Sequence, residues 1–121
     1  MPDYAPVYGR PKTMTFTAGA SITGGQAVVV SAADTVSPAG VNGAPIGVAA
    51  HDAASGSPVT VMMGSGVVHE TNAAVAFPAA GVAVYAGAGG GVTPTAGTGP
   101  VIGYAIRTAL ISTNVRWRST Y

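Results

Sequence analysis

The sequence predicts an all-β fold: a compact β-barrel or sandwich of short strands, built from two duplicated halves and preceded by an extended N-terminal arm. Three observations predict it. Apolar residues come in short β-branched runs separated by Gly, Pro, Asn and Ser, with turn signals at intervals of about 8–12 residues. Hardly any stretch keeps the spacing of an amphipathic helix. Finally, Pro45-Ile46-Gly47-Val48-Ala49 returns as Val101-Ile102-Gly103-Tyr104-Ala105, at an offset of 56 residues. Sliding the chain by that offset aligns residues 18–62 with 74–118 without a gap. The matches include Gly25/Gly81, Val28/Val84, Val36/Val92, Pro38/Pro94, Ile46/Ile102 and Val59/Val115. Such self-similarity marks a duplicated β-unit.

Residues 1–17 form an arm and a first strand, and 18–121 a single β-domain. Pro2, Pro6 and Pro11 exclude helix from the first twelve residues and favour an extended backbone. The arm carries Tyr4, Val7, Tyr8, Arg10 and Lys12 as candidate partner-binding residues. It either folds back on its own domain or reaches to another chain. Thr13 to Thr17 alternates polar and apolar residues, as a half-buried strand does.

In the first half, Gln26 to Val30 reads as a buried strand, Thr35-Val36-Ser37 as a short one stopped by Pro38, and Ile46 to Ala49 as a third. Gly47 within it marks a bulge or a close backbone approach. Val59 to Met63 ends the first copy. Gly64-Ser65-Gly66 then leads to Val67 to Glu70, expected as its hairpin partner. Thr71 to Ala80 holds one helical turn or a loop, since Pro78 stops anything longer. Val82 to Tyr85, Val92-Thr93, Val101 to Ala105 and Asn114 to Arg118 repeat the first half, with a glycine turn at 87–91. Val115 and Trp117 should point inward, and Arg116 and Arg118 outward. The expected core is Val28, Val30, Val48, Val61, Val84, Ile102 and Trp117.

Composition narrows the function. At 121 residues the chain is one domain. Charged residues make up 7%, against about 25% in ordinary soluble domains. A net charge of +1 gives no field to steer nucleic acid or anionic lipid. Apolar runs such as Ala27 to Val30 fall far short of a membrane-spanning helix, and Met1 to Tyr4 lacks a secretory start. Without cysteine there is no thiolate nucleophile and no thiolate metal site. A sparsely charged, Ala/Val-rich surface favours a subunit whose faces are covered in an assembly.

No catalytic constellation emerges. His51-Asp52 lies in a turn, and strand neighbours such as His69 and Glu70 face opposite ways; solvated surface histidines are expected. Gly64-Ser65-Gly66 lacks the nucleophile spacing. Gly87 to Gly91 lacks the Lys-Ser/Thr of a phosphate loop. No enzyme activity, metal or cofactor is expected.

Gly25-Gln26-Ala27-Val28-Val29-Val30, then Ile46 to Gly56, Val59-Thr60-Val61-Met62 and the later Ile102-Gly103-Tyr104-Ala105 and Val115-Arg116-Trp117 resemble, in order and spacing, the tailed-phage capsid cement or decoration proteins. The resemblance spans roughly residues 18–118. It implies a non-enzymatic protein that binds the exterior of an assembled head and stabilises it. The implied partners are the major capsid protein and further copies of itself, a trimer being favoured by analogy with decoration proteins. The implied location is the outer surface of the virion. A small β-barrel binding module, for example for a host-surface saccharide, is the alternative reading.

Overall fold

Alternating small polar and apolar residues make ten strands in the computed structural model, which describes residues 12–120. They are β1 (Lys12–Ala18), β2 (Ala27–Ala32), β3 (Thr35–Pro38), β4 (Gly47–Ala49), β5 (Pro58–Met63), β6 (Val68–Asn72), β7 (Ala83–Ala86), β8 (Val92–Thr93), β9 (Gly103–Ala105) and β10 (Asn114–Ser119). Among the described residues the helical element is a single 3-10 turn, Ala88–Gly90, within the expected glycine turn between β7 and β8. Thr71 to Ala80 holds no helical turn. The segment finishes β6 and then bridges to Val92 through Ala73 and to Ala109 through Phe77.

The first five strands close into a barrel in the order β1-β3-β2-β4-β5. β1 runs antiparallel to β5 from Lys12 opposite Met63 to Thr17 opposite Pro58. Its far end pairs parallel with β3, Ala18 opposite Val36, which closes the ring. Phe16, Ile22, Val28, Val36, Val59 and Val61 fill the inside. The last five strands curl in the matching order β6-β10-β9-β7-β8. A parallel bridge between Ala73 and Val92 draws their edges together. Phe77, Val84, Val92, Ile102, Val115 and Trp117 fill this second core.

The expected hairpin between β5 and β6 does not form. β6 pairs with β10, Val68 opposite Arg118 through Asn72 opposite Asn114, and starts the second half, a curled five-stranded sheet that forms an open barrel. A short glycine link permits a hairpin but does not require one. Here each half instead closes on its own final strand.

Main-chain hydrogen bonds recur in the two halves. Gly25 N–H donates to Ala49 O and Gly81 N–H to Ala105 O; Ile46 N–H donates to Val28 O and Ile102 N–H to Val84 O. From Gly25 onward the bonds repeat at the offset of 56. Before it the offset is 55, because the reciprocal pair Ile22–Ala53 corresponds to Phe77–Ala109. One extra residue between Phe77 and Gly81 takes up the difference. The ungapped alignment therefore slips by one over residues 18–24, and β1 and β6 belong to the repeat.

Gly47 and Gly103 show why the repeat conserves glycine there. A β-carbon on Gly47 would run into the carbonyl oxygen of Met62 and come within 2.7 Å of Val61 Cγ1. On Gly103 it would meet the carbonyl oxygen of Arg118 and come within 2.6 Å of Trp117 Cε3. Met62/Arg118 and Val61/Trp117 are themselves equivalent pairs, so each glycine lets its strand lie close against the paired neighbour.

The barrels are joined by more than the link. Val48 points out of the first barrel and packs among the core residues of the second. Ala27 and Ala39 pack against Ala86. Gly90 N–H donates to Ala39 O at 2.7 Å, Gln26 Nε2 to Gly89 O at 2.9 Å and Thr71 Oγ1 to Gly25 O at 2.8 Å. Trp117 Nε1 donates to that same Thr71 hydroxyl at 3.1 Å, which ties the second core to the first barrel.

Val30 corrects the expected core. It is 54% exposed, as are the flanking residues Ser31 to Asp34 to varying degrees. A β-bulge between Val30 and Ala32 breaks the pairing with β3, and the end of this hairpin is left in solvent.

Candidate docking interface

Polar side chains were the first candidates for chemistry, and the fold separates them. His51 Nδ1 lies 2.8 Å from Asp52 O, and its Nε2 accepts from Thr60 N–H at 3.2 Å. Both ring nitrogens are thus used in holding a turn. Asp52 accepts from Gly24 N–H at 2.8 Å and fastens that turn to the neighbouring one. Among the described residues, no three His, Asp or Glu side chains cluster as a metal would require.

His69 contradicts the expectation of a solvated surface histidine. It stands directly opposite Trp117 across β6 and β10 and is 1% exposed, with the two ring centroids 5.4 Å apart. Burial pushes its pKa down to about 4. Glu70 faces the other way, as strand alternation requires, and pairs with Arg116 at 3.1 Å.

This burial carries a pH dependence of stability. The folded protein holds His69 neutral, while the unfolded chain takes up a proton near pH 6.5. Stability is therefore undiminished above pH 6.5 and is lost as the pH falls from there towards 4. With the pKa held at about 4 in the fold, the whole loss is about 3 kcal/mol. Denaturant titrations between pH 7 and pH 4 should show this decline, and His69→Met should flatten it.

Exposed apolar residues are concentrated elsewhere, in the loop between β9 and β10. Ile106 is 43% exposed, Leu110 75% and Ile111 60%. The equivalent residues of the first half are Ala50, Ala54 and Ser55. One copy of the turn thus carries small residues, and the other carries large aliphatic ones that are exposed among the described residues. The tip is held by its own backbone: Thr113 N–H and Oγ1 both donate to Leu110 O, at 3.2 and 2.6 Å. Phe77 and Ala109 exchange two further main-chain bonds at its base. Ser112 takes a left-handed φ of 64° where the first copy has Gly56 at 87°. Beside the tip runs a groove lined by Phe77, Pro78, Thr108, Ala109 and Asn114. A fixed tip with large aliphatic side chains, next to a groove and Arg107, is suited to docking on a protein surface and offers little to small-molecule chemistry.

Of the arm residues singled out in the sequence, Tyr4, Val7, Tyr8 and Arg10 lie outside the described residues. Lys12 is the exposed first residue of β1, opposite Met63. Sequence reasoning passed over Leu110 and Ile111. The available signal was the repeat itself, since aligned turn positions change from Ala and Ser to Leu and Ile.

Comparisons with known proteins agree with this architecture. No curated protein sequence matches the chain. Among solved structures, the head fiber gp8.5 N base of bacteriophage phi29 superposes with a TM-score of 0.78 at 23% identity, covering 92% of this chain and 95% of that one. At that identity the likeness is one of fold. The family model for phage cement proteins matches residues 9–118. Nearly the whole repeat is spanned, and the chain belongs to the phage cement protein family, a structural protein of the phage head.

Proposed function

We propose that this protein is a non-enzymatic cement protein that binds the exterior of the assembled head and stabilises it, with the major capsid protein as its partner. The observation that carries the reading is the β9–β10 tip, where Ile106, Leu110 and Ile111 are solvent-exposed on a backbone fixed by its own hydrogen bonds. A rigid tip loses little conformational entropy on docking, so more of its apolar burial is realised as affinity. The arm adds a second contact. Tyr4 and Tyr8 are of the type enriched at interface hot spots, and its prolines limit the entropy lost on ordering. Cement that joins capsid subunits contributes stability through the bound state alone, so binding and stabilisation rise together with its concentration.

Co-sedimentation with heads assembled without cement tests the reading. Saturable binding, accompanied by a higher disruption temperature of the heads, is the expected result. Heads that neither bind the protein nor gain stability from it would overturn the reading.

A further inference from the structure

The two halves leave a cleft of about 300 Å³ where they meet, at the lower end of small-molecule sites. One wall is the turn of residues 23–26 ahead of β2, and the other is the strand pair β6–β10 at Asn72 and Asn114. Hydrogen bonds fix these walls, two of them crossing from one half to the other. Gln26 Oε1 accepts from Thr23 N–H at 2.8 Å, Gln26 Nε2 donates to Gly89 O at 2.9 Å, and Thr71 Oγ1 donates to Gly25 O at 2.8 Å. Glu70 is the one ionisable residue lining the cleft among the described residues, and Arg116 pairs with it at 3.1 Å.

Other polar groups in the cleft are uncommitted. Asn72 and Asn114 stand opposite each other across β6 and β10, both exposed, and neither side-chain amide has a hydrogen-bond partner among the described residues. The main-chain N–H of Asn72 is open as well. Ala73 N–H donates across to Thr113 O on the β10 side, so the N–H of Asn72 points the other way, towards the Ala88–Gly90 turn and β8. At the same place in the first barrel, Thr17 N–H is closed by Asp34 O, and Thr17 stands opposite Pro58. Where the first half has a closed donor and a proline, the second has an open donor and two amides.

We propose that this cleft binds a neutral sugar ring of the pyranose class. An Asn side chain carries a donor and an acceptor side by side, and neighbouring ring hydroxyls present the same pair, so each amide can serve two hydroxyls. Asn72 N–H and the Thr23 hydroxyl offer further contacts. Gly24, Gly25 and Gly89 line the cleft without side chains, so the C–H face of a ring can lie against their backbone. With Glu70 neutralised by Arg116, no unpaired charge is present to select an ion. Walls fixed before the ligand arrives keep the ordering cost low. Sugar binding here is a function separate from docking on heads, and it is measured without them.

NMR titration of the isotope-labelled full-length protein with methyl glucoside, methyl galactoside and N-acetylglucosamine tests it. At least one of the three should move the signals of Asn72 N–H, Gly89 and the two Asn side-chain amides, saturating with a Kd of about 1 mM or below. Asn72→Ala and Asn114→Ala should each weaken that binding at least about tenfold. Both positions are exposed, and unchanged thermal transitions would show that the variants fold. Glucuronic acid, a comparable ring bearing a carboxylate, should bind more weakly than methyl glucoside. Titrations that stay flat for all three sugars overturn the proposal, as they would if the cleft takes a capsid side chain instead. Binding that both alanine variants leave intact overturns it too, as do shifts confined to the β9–β10 tip. Tighter binding of glucuronic acid than of any neutral sugar overturns the assignment to a neutral ring.

Discussion

Replacing Trp117 by alanine should cost about 3–5 kcal/mol of stability, the range for removing a large aromatic ring from a core. The residue is fully buried among Phe77, Val84, Ile102 and Val115. Its ring also lies beneath Gly103, which has no side chain to fill a cavity left there. The indole does a second job, since Nε1 donates to Thr71 Oγ1, which in turn donates to Gly25 O in the first barrel. Trp117→Phe should keep most of the packing and lose that bond, at about 1–2 kcal/mol for the donor and the smaller ring. Small domains have about 5–15 kcal/mol in total, so the alanine variant should unfold at a much lower denaturant concentration. A loss below about 1 kcal/mol would mean that the second core does not depend on this ring.

The other large effect belongs to the β9–β10 tip. Leu110→Asp with Ile111→Asp should leave the thermal transition almost unchanged, because both side chains are exposed and the turn is held by main-chain and Thr113 bonds. Affinity for heads lacking cement should nevertheless fall by about a hundredfold or more, equivalent to 2.7 kcal/mol. Two apolar anchors are lost, and two carboxylates must be desolvated in their place. The equivalent change in the first half, Ala54→Asp with Ser55→Asp, controls for charge alone and should have little effect.

Much of the fold was legible because strand alternation is local. Val115 and Trp117 point in while Arg116 and Arg118 are more exposed, as their spacing required. Gly47 could be read as a bulge or a close backbone approach, and the structure shows close approach there and at its counterpart Gly103. Pairing was less legible, because it is decided by contacts far apart in sequence. The Gly64–Gly66 link suits a hairpin, yet β6 lies beside β10. His69 illustrates the same gap: alternation assigned it a face, and only its partner Trp117 shows that the face is an interior. Val30 is a further instance, where a bulge leaves an apolar strand residue in solvent. The exposed β9–β10 tip was hidden for a different reason. Exposure of Leu110 and Ile111 depends on what the fold leaves uncovered, and a short aliphatic pair in a sequence looks like core.

Attachment to the outside of the head is tested most directly by electron cryomicroscopy of heads assembled without the protein and then saturated with it. The expected result is added density on the outer surface of the shell, shaped as paired β-barrels and touching the capsid protein at the β9–β10 tip. Heads whose outer surface is unchanged, or density confined to the interior, would contradict it.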